Sequence, residues 1–170
     1  NFGSGGVGSS PHLSGELLQK EANIKLTHIP YKGGGEALSA VMAGNVDLLI
    51  TATPTAIGHV QGGRVRALAV TGTQRSIAFP EVPTLKEAGL PNYVVMNWYG
   101  LGAPKNTPTQ TLNQIYQLTV RALADPSLQS RFAQQGVEPL NMSASEFSSF
   151  IKAETIRWTS ISQAAGLTPE

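Results

Sequence analysis

Apolar positions in the first seventy residues alternate between helical and strand spacing. Leu13, Leu17 and Leu18 share one face of a helix predicted from about Pro11 to Ala22. Ser9 and Ser10 at its cap and Pro11 in its first turn mark the start. Ile24 to Ile29 predicts a short strand that Pro30 ends. A helix follows over Glu36 to Ala43, stopped by Gly44 and Asn45. Val46 to Ala52 is a continuous apolar run, as in a strand covered on both faces. Thr53 and Pro54 open a third helix to about Val60, stopped by Gly62 and Gly63, and Arg66 to Thr71 reads as another buried strand. Strand–helix alternation with short loops implies an α/β fold with a mainly parallel sheet and right-handed crossovers.

The pattern changes after Gly72. Residues 73–92 hold three prolines and a predicted short helix over Thr84 to Ala88. Tyr93 to Ala103 reads as a long extended connection between two lobes. Helices are then predicted over Pro108 to Ala124, over Ser127 to Gln135, and from a Ser143–Glu146 capping box to about Ala165. Only Val137 to Leu140 offers a strand among them, so these helices are expected to cover a sheet built mostly by residues outside this chain.

Composition narrows the function. With 41% apolar and 14% charged residues the 170-residue chain is globular, long enough for one or two small domains. A net charge of +1 and 6% aromatic residues give no basic patch for nucleic acid. No apolar run approaches the ~18 residues that span a bilayer. The absence of cysteine removes disulfides and thiol chemistry, and it fits an extracytoplasmic compartment. Asn1-Phe2-Gly3 carries neither Met nor a signal peptide, so part of a longer protein is expected to precede it.

The chemistry concentrates in Gly-rich turns. Gly3, Gly5, Gly6 and Gly8 lead into the first helix, where amides without intrahelical partners face the positive end of a helix dipole. The run matches G-x-G-x-x-G. However, the following strand ends in Thr27, His28 and Ile29 rather than in a ribose-binding acid, and no Lys follows Gly8 as in a phosphate loop. A carboxylate held by the amides of Gly8 to Ser10 and the hydroxyls of Ser4, Ser9 and Ser10 is one reading. A turn that serves packing alone is the other, and the residues leave both open. Tyr31 to Gly35 and Thr51 to Thr55 repeat the arrangement, with Lys32 as their one cation. Together the three turns would make a polar, nearly uncharged anion cradle at the carboxyl ends of the strands. His12, His28 and His59 lack ligand spacing, so no metal is expected, and His12 reads as a capping or packing residue. No nucleophile elbow appears. Asp47, inside an apolar run, reads as a buried carboxylate tied to backbone amides or a cation. Trp98 and Tyr99 read either as an interlobe packing pair or as cleft lining.

Seven blocks then occur in a familiar order: FGSGGVGSSPHL, HIPYKGGGEAL, AGNVDLLI, GRVRALAVTG, PEVPTLKEAGLP, NWYGLGAPKNTP and EFSSFIKAE. In this the chain resembles the tripartite tricarboxylate transporter receptors, the TctC or Bug-type extracytoplasmic solute-binding proteins. The resemblance implies a type II periplasmic-binding-protein fold, with one complete parallel-sheet lobe over residues 1–95. Residues 96–170 would give the connecting strand and the C-terminal helices of a second, incomplete lobe, whose N-terminal portion is a missing part of the same protein. It also implies a periplasmic receptor without catalysis or cofactor, binding a small organic acid and passing it to membrane permease subunits. Carried over position by position, it places Ser4, Gly8, Ser9 and Ser10 beside a carboxylate, and Thr51 and Thr53 near the cleft. An enzyme using the Gly-rich turn for a nucleotide or phosphorylated substrate is the competing reading, and a structural module the third.

Overall fold

The computed structural model describes residues 1–167, so the last three positions of the expected 96–170 portion lie outside it. Three short strands, β1 (Phe2–Ser4), β2 (His28–Pro30) and β3 (Leu48–Leu49), alternate with α1 (Ser10–Ala22), α2 (Gly34–Met42) and α3 (Thr53–Gln61). The sheet is parallel with β1 central, in the order β2-β1-β3. Phe2 pairs with His28 on one side and Leu48 on the other. Parallel strands joined by helices bring the end of every strand, and the start of every helix, to one edge of the sheet.

Central strand β1 was expected as a turn, and its three residues are all buried. Gly3 lies close under the neighbouring apolar groups, where an added Cβ would stand 3.3 Å from Val46 and 3.5 Å from Ala37. The other strands are shorter than the apolar runs suggested. Ile24–Thr27 and Val46–Asp47 lie outside the ladder, and Arg66–Thr71 contributes only a parallel bridge from Val70 to Thr84. Asp47 is exposed, contrary to the buried placement expected, and its amide donates to Asn1 Oδ1 at 3.1 Å. Its neighbour Val46 takes the buried position, so the local alternation puts the carboxylate on the outer side.

Residues 84–88 form a turn instead of a helix. The Glu87 carboxylate folds back onto the Thr84 amide at 2.7 Å and onto Arg75 at 3.1 Å. Those bonds, Arg75's foremost, pull Glu87 down to about 2. Val137–Leu140 is not a strand, and Tyr93–Ala103 runs outside any sheet.

The C-terminal helices are α4 (Thr109–Leu123), α5 (Pro126–Gln134) and α6 (Ala144–Ala164). Asp125 caps α5, and both halves of the Ser143–Glu146 capping box are present at α6. One core cluster joins Leu17 of α1 to Tyr93 and Val95, with Trp158 and Ile161 of α6 packed on it. The Tyr93 hydroxyl donates to the Ser14 carbonyl at 2.9 Å, and burial pushes its phenol far above the ordinary range. Arg157 of α6 donates to the Val94 carbonyl. A second cluster centres on Ile57, Phe79 and Val82. Trp98 packs edge-on against Phe147 and Phe150, the packing alternative for this residue, while Tyr99 is exposed. Leu112, Ile115 and Leu118 of α4 are exposed among the described residues.

Candidate functional site

The turns after β1, β2 and β3 meet. A Cβ added at Gly5 would lie 3.3 Å from the Gly34 amide nitrogen, and one added at Gly34 would lie 3.5 Å from Thr51 Oγ1. The starts of α1, α2 and α3 therefore face a common region. α2 and α3 have Gly33 and Ala52 at their caps, with no side-chain hydrogen bond to their first amides. The open donors of a helix start carry partial positive charge. One carboxylate is already held here, since Glu36 Oε2 accepts from the Lys32 amide at 2.9 Å. Glu36 thus adds a negative charge to a region expected to be nearly uncharged, with Lys32 its one cation.

The turn before α1 uses much of its polarity internally. Ser4 is wholly buried; its hydroxyl oxygen accepts from the Gly6 amide at 3.1 Å and lies 2.6 Å from His28 Nε2. The Gly8 amide donates to His12 Nδ1 at 3.0 Å. Ser9 caps α1: its hydroxyl donates to the Gly6 carbonyl at 2.7 Å and accepts from the His12 amide at 3.4 Å. The Ser9 amide itself reaches the Gly6 carbonyl at 3.3 Å. Gly6 and Gly8 take φ values of 126° and 74°. Ser10 is exposed at the first position of α1, and the Val7 and Ser10 amides have no intramolecular acceptor among the described residues.

Thr51 and Thr53 are half-buried on the β3–α3 turn. Gly136, just after α5, presses against this turn: a Cβ there would stand 2.5 Å from Thr53 Cγ2. The C-terminal part of the chain thus reaches the candidate site, a contact that no local pattern announces.

His12 is buried and packs as one reading expected, but its Nδ1 also accepts from the Gly8 amide. Its ring stacks on that of His28. Burial, and secondarily the nearby His12, hold His28 below the ordinary imidazole range. A histidine four residues after a glycine, in the first helical turn, was the available signal for this bond. No group of three or more His, Asp or Glu residues among those described is placed to hold a metal ion. No helix of the described residues is long and apolar enough to cross a membrane.

Known proteins match this architecture along its length. A protein from the tcbD–tcbE intergenic region of Pseudomonas sp. is 37% identical over 159 residues, 93% of this chain and 47% of that protein. BugT of Bordetella pertussis is 33% identical over 165 residues, 97% of this chain and 51% of its own length. The chain spans about half the length of the curated relatives it matches. Among solved structures, an R. palustris protein with adipate superposes with a TM-score of 0.91 at 31% identity, over 99% of this chain and 56% of that one. The periplasmic binding protein BugD gives 0.88 at 30% identity, over 99% and 57%. MatC from Rhodopseudomonas palustris with bound malate gives 0.85 at 29% identity, over 95% and 56%. Their fold is the expected α/β periplasmic-binding type, and BugD is named a periplasmic binding protein. The model of the tripartite tricarboxylate transporter family receptor matches residues 1–167, and the chain belongs to that family.

Proposed function

We propose that this chain is the part of a periplasmic receptor that holds a small organic carboxylate at the joined starts of α1, α2 and α3, for delivery to a membrane permease. The observation that carries the reading is the contact of Gly5 with Gly34 and of Gly34 with Thr51, which gathers two uncapped helix starts beside the Gly-rich turn. Adipate and malate in the solved relatives support an aliphatic diacid as the ligand class. Ser10, Thr51 and Thr53 offer polar groups without an internal partner among the described residues, and they take the ligand contacts in this reading. Ser4, Gly8 and Ser9 spend theirs on the turn and shape it. Division into a lobe over residues 1–95 and a second portion from residue 96 belongs to the same proposal, with the cleft between them.

The energetics allow such a site to work without an arginine. Hydrogen bonds to a charged group contribute about 1.5–3 kcal/mol each. Three or four of them reach roughly the 8 kcal/mol gross of micromolar binding, which closure and lost freedom oppose. The test is a thermal-shift screen of the complete protein against mono-, di- and tricarboxylates and against nucleotides. Bound ligand stabilises by mass action, so a dicarboxylate is expected to raise Tm. A shift with nucleotides and none with any organic acid would favour the enzyme reading instead.

A further inference from the structure

We infer that His12 is a positioning residue for the proposed carboxylate site, its neutral imidazole pinning the Gly-rich turn so that the Val7 and Ser10 amides stay open. The inference rests on the receptor reading above and adds to it a residue and a protonation state.

The turn is held at two shoulders by two stacked rings. At one, the Gly8 amide donates to His12 Nδ1 at 3.0 Å. At the other, the Gly6 amide donates to Ser4 Oγ, which in turn lies 2.6 Å from His28 Nε2. The rings lie face to face, and the Phe2 ring lies beside the pair, 5.0 Å from His28 and 6.4 Å from His12. His12 is only 4% exposed, so its ring has little room to swing away. An Nδ1 that accepts an amide proton must keep its lone pair, which puts the ring proton on Nε2. Nε2 faces Glu16 Oε1 of α1 at 3.6 Å. From β2 the titratable neighbour is His28, and β1 contributes the uncharged Phe2. A proton on Nδ1 would set two donors against each other at Gly8 and break the bond. Carboxylate binding is then coupled to the charge on this ring, through the shape of the turn and without contact between His12 and the ligand.

The test is calorimetric titration of the complete protein with malate and with adipate between pH 5 and pH 8. It compares the wild type with His12→Asn and His12→Phe at each pH, so that ionisation of the acids cancels. Asparagine places an amide oxygen where Nδ1 stood and does not titrate, whereas phenylalanine keeps the stack without an acceptor. His12→Phe is expected to bind about tenfold more weakly at pH 8, the worth of one hydrogen bond. His12→Asn is expected to recover most of that loss and to depend less on pH than the wild type. Equal binding by His12→Phe and wild type, or the same pH profile in His12→Asn and wild type, would overturn the assignment. If His12→Phe does not fold, nitrogen NMR of the wild-type ring decides: a protonated Nδ1 at pH 8 overturns it, and an unprotonated Nδ1 whose acid titration moves the Gly8 amide supports it. Wild-type protein that binds no acid at any pH removes the receptor reading, while the same spectrum still decides whether His12 holds the turn.

Discussion

The imidazoles of His12 and His28 stack with centroids 3.7 Å apart and planes within 14° of parallel, although one belongs to α1 and the other to β2. A second positive charge on such a stack is opposed by the first. His28, held below the ordinary imidazole value of 6.5 chiefly by burial, resists protonation. On acidification the unfolded chain takes up its proton first, so unfolding gains as pH falls. Stability contributed this way is complete above pH 6.5 and declines as pH drops through the lower folded value. The urea midpoint is therefore expected to fall between pH 7 and pH 5. In His28→Phe, which keeps the stacking and removes the titration, the acid-induced fall should be smaller. An equal fall in both proteins would show that His28 is not its source.

Gly15 lies directly beneath Phe2. A Cβ at this position would come within 2.2 Å of the Phe2 ring, and Phe2 is fully buried at the head of the central strand. Alanine is the better helix former by up to ~1 kcal/mol, but overpacking a core costs about 1–3 kcal/mol. The steric cost should win. Gly15→Ala is expected to lower Tm by a few degrees in a chain of this size, roughly 2–8 °C. A raised Tm would mean that Phe2 can move aside freely.

Contact of Gly136 with Thr53 ties the C-terminal part of the chain to the proposed cleft. Gly136→Ala would drive a methyl to 2.5 Å from Thr53 Cγ2 and 3.1 Å from Ala78 Cβ. A loss of about 1–3 kcal/mol in stability is expected, part from the clash and part from the left-handed backbone of Gly136 at φ 64°, which no change at Thr53 relieves. Thr53→Ser removes the struck methyl, so the double variant should recover part of the loss, read as a coupling energy in a double-mutant cycle. Strict additivity of the two changes would deny the contact.

Helices were legible because their signals are local. Ser9 with Pro11, and Ser143 with Glu146, each fix a start within four residues, and the observed helices begin there. The strands were not, because pairing is decided by partners far along the chain. Phe2–Ser4 has a glycine at its centre and reads as a turn, yet it becomes the middle strand because β2 and β3 flank it. Arg66–Thr71 has the apolar run of a strand and joins a ladder only at Val70. At the site, the Gly-rich turns could be located from sequence. Which of their donors were already spent depended on His12 and His28, whose meeting no spacing rule describes.

The backbone angles of Gly6 and Gly8 carry a consequence for sequence variation. At φ of 74° Gly8 lies near the left-handed basin, and nothing stands within 4 Å of an added Cβ, so asparagine or aspartate is tolerable there. Gly6, at 126°, falls outside any basin that side chains enter readily. In a saturation library scored for folded protein, position 6 should be almost blank and position 8 should retain a narrow polar shortlist.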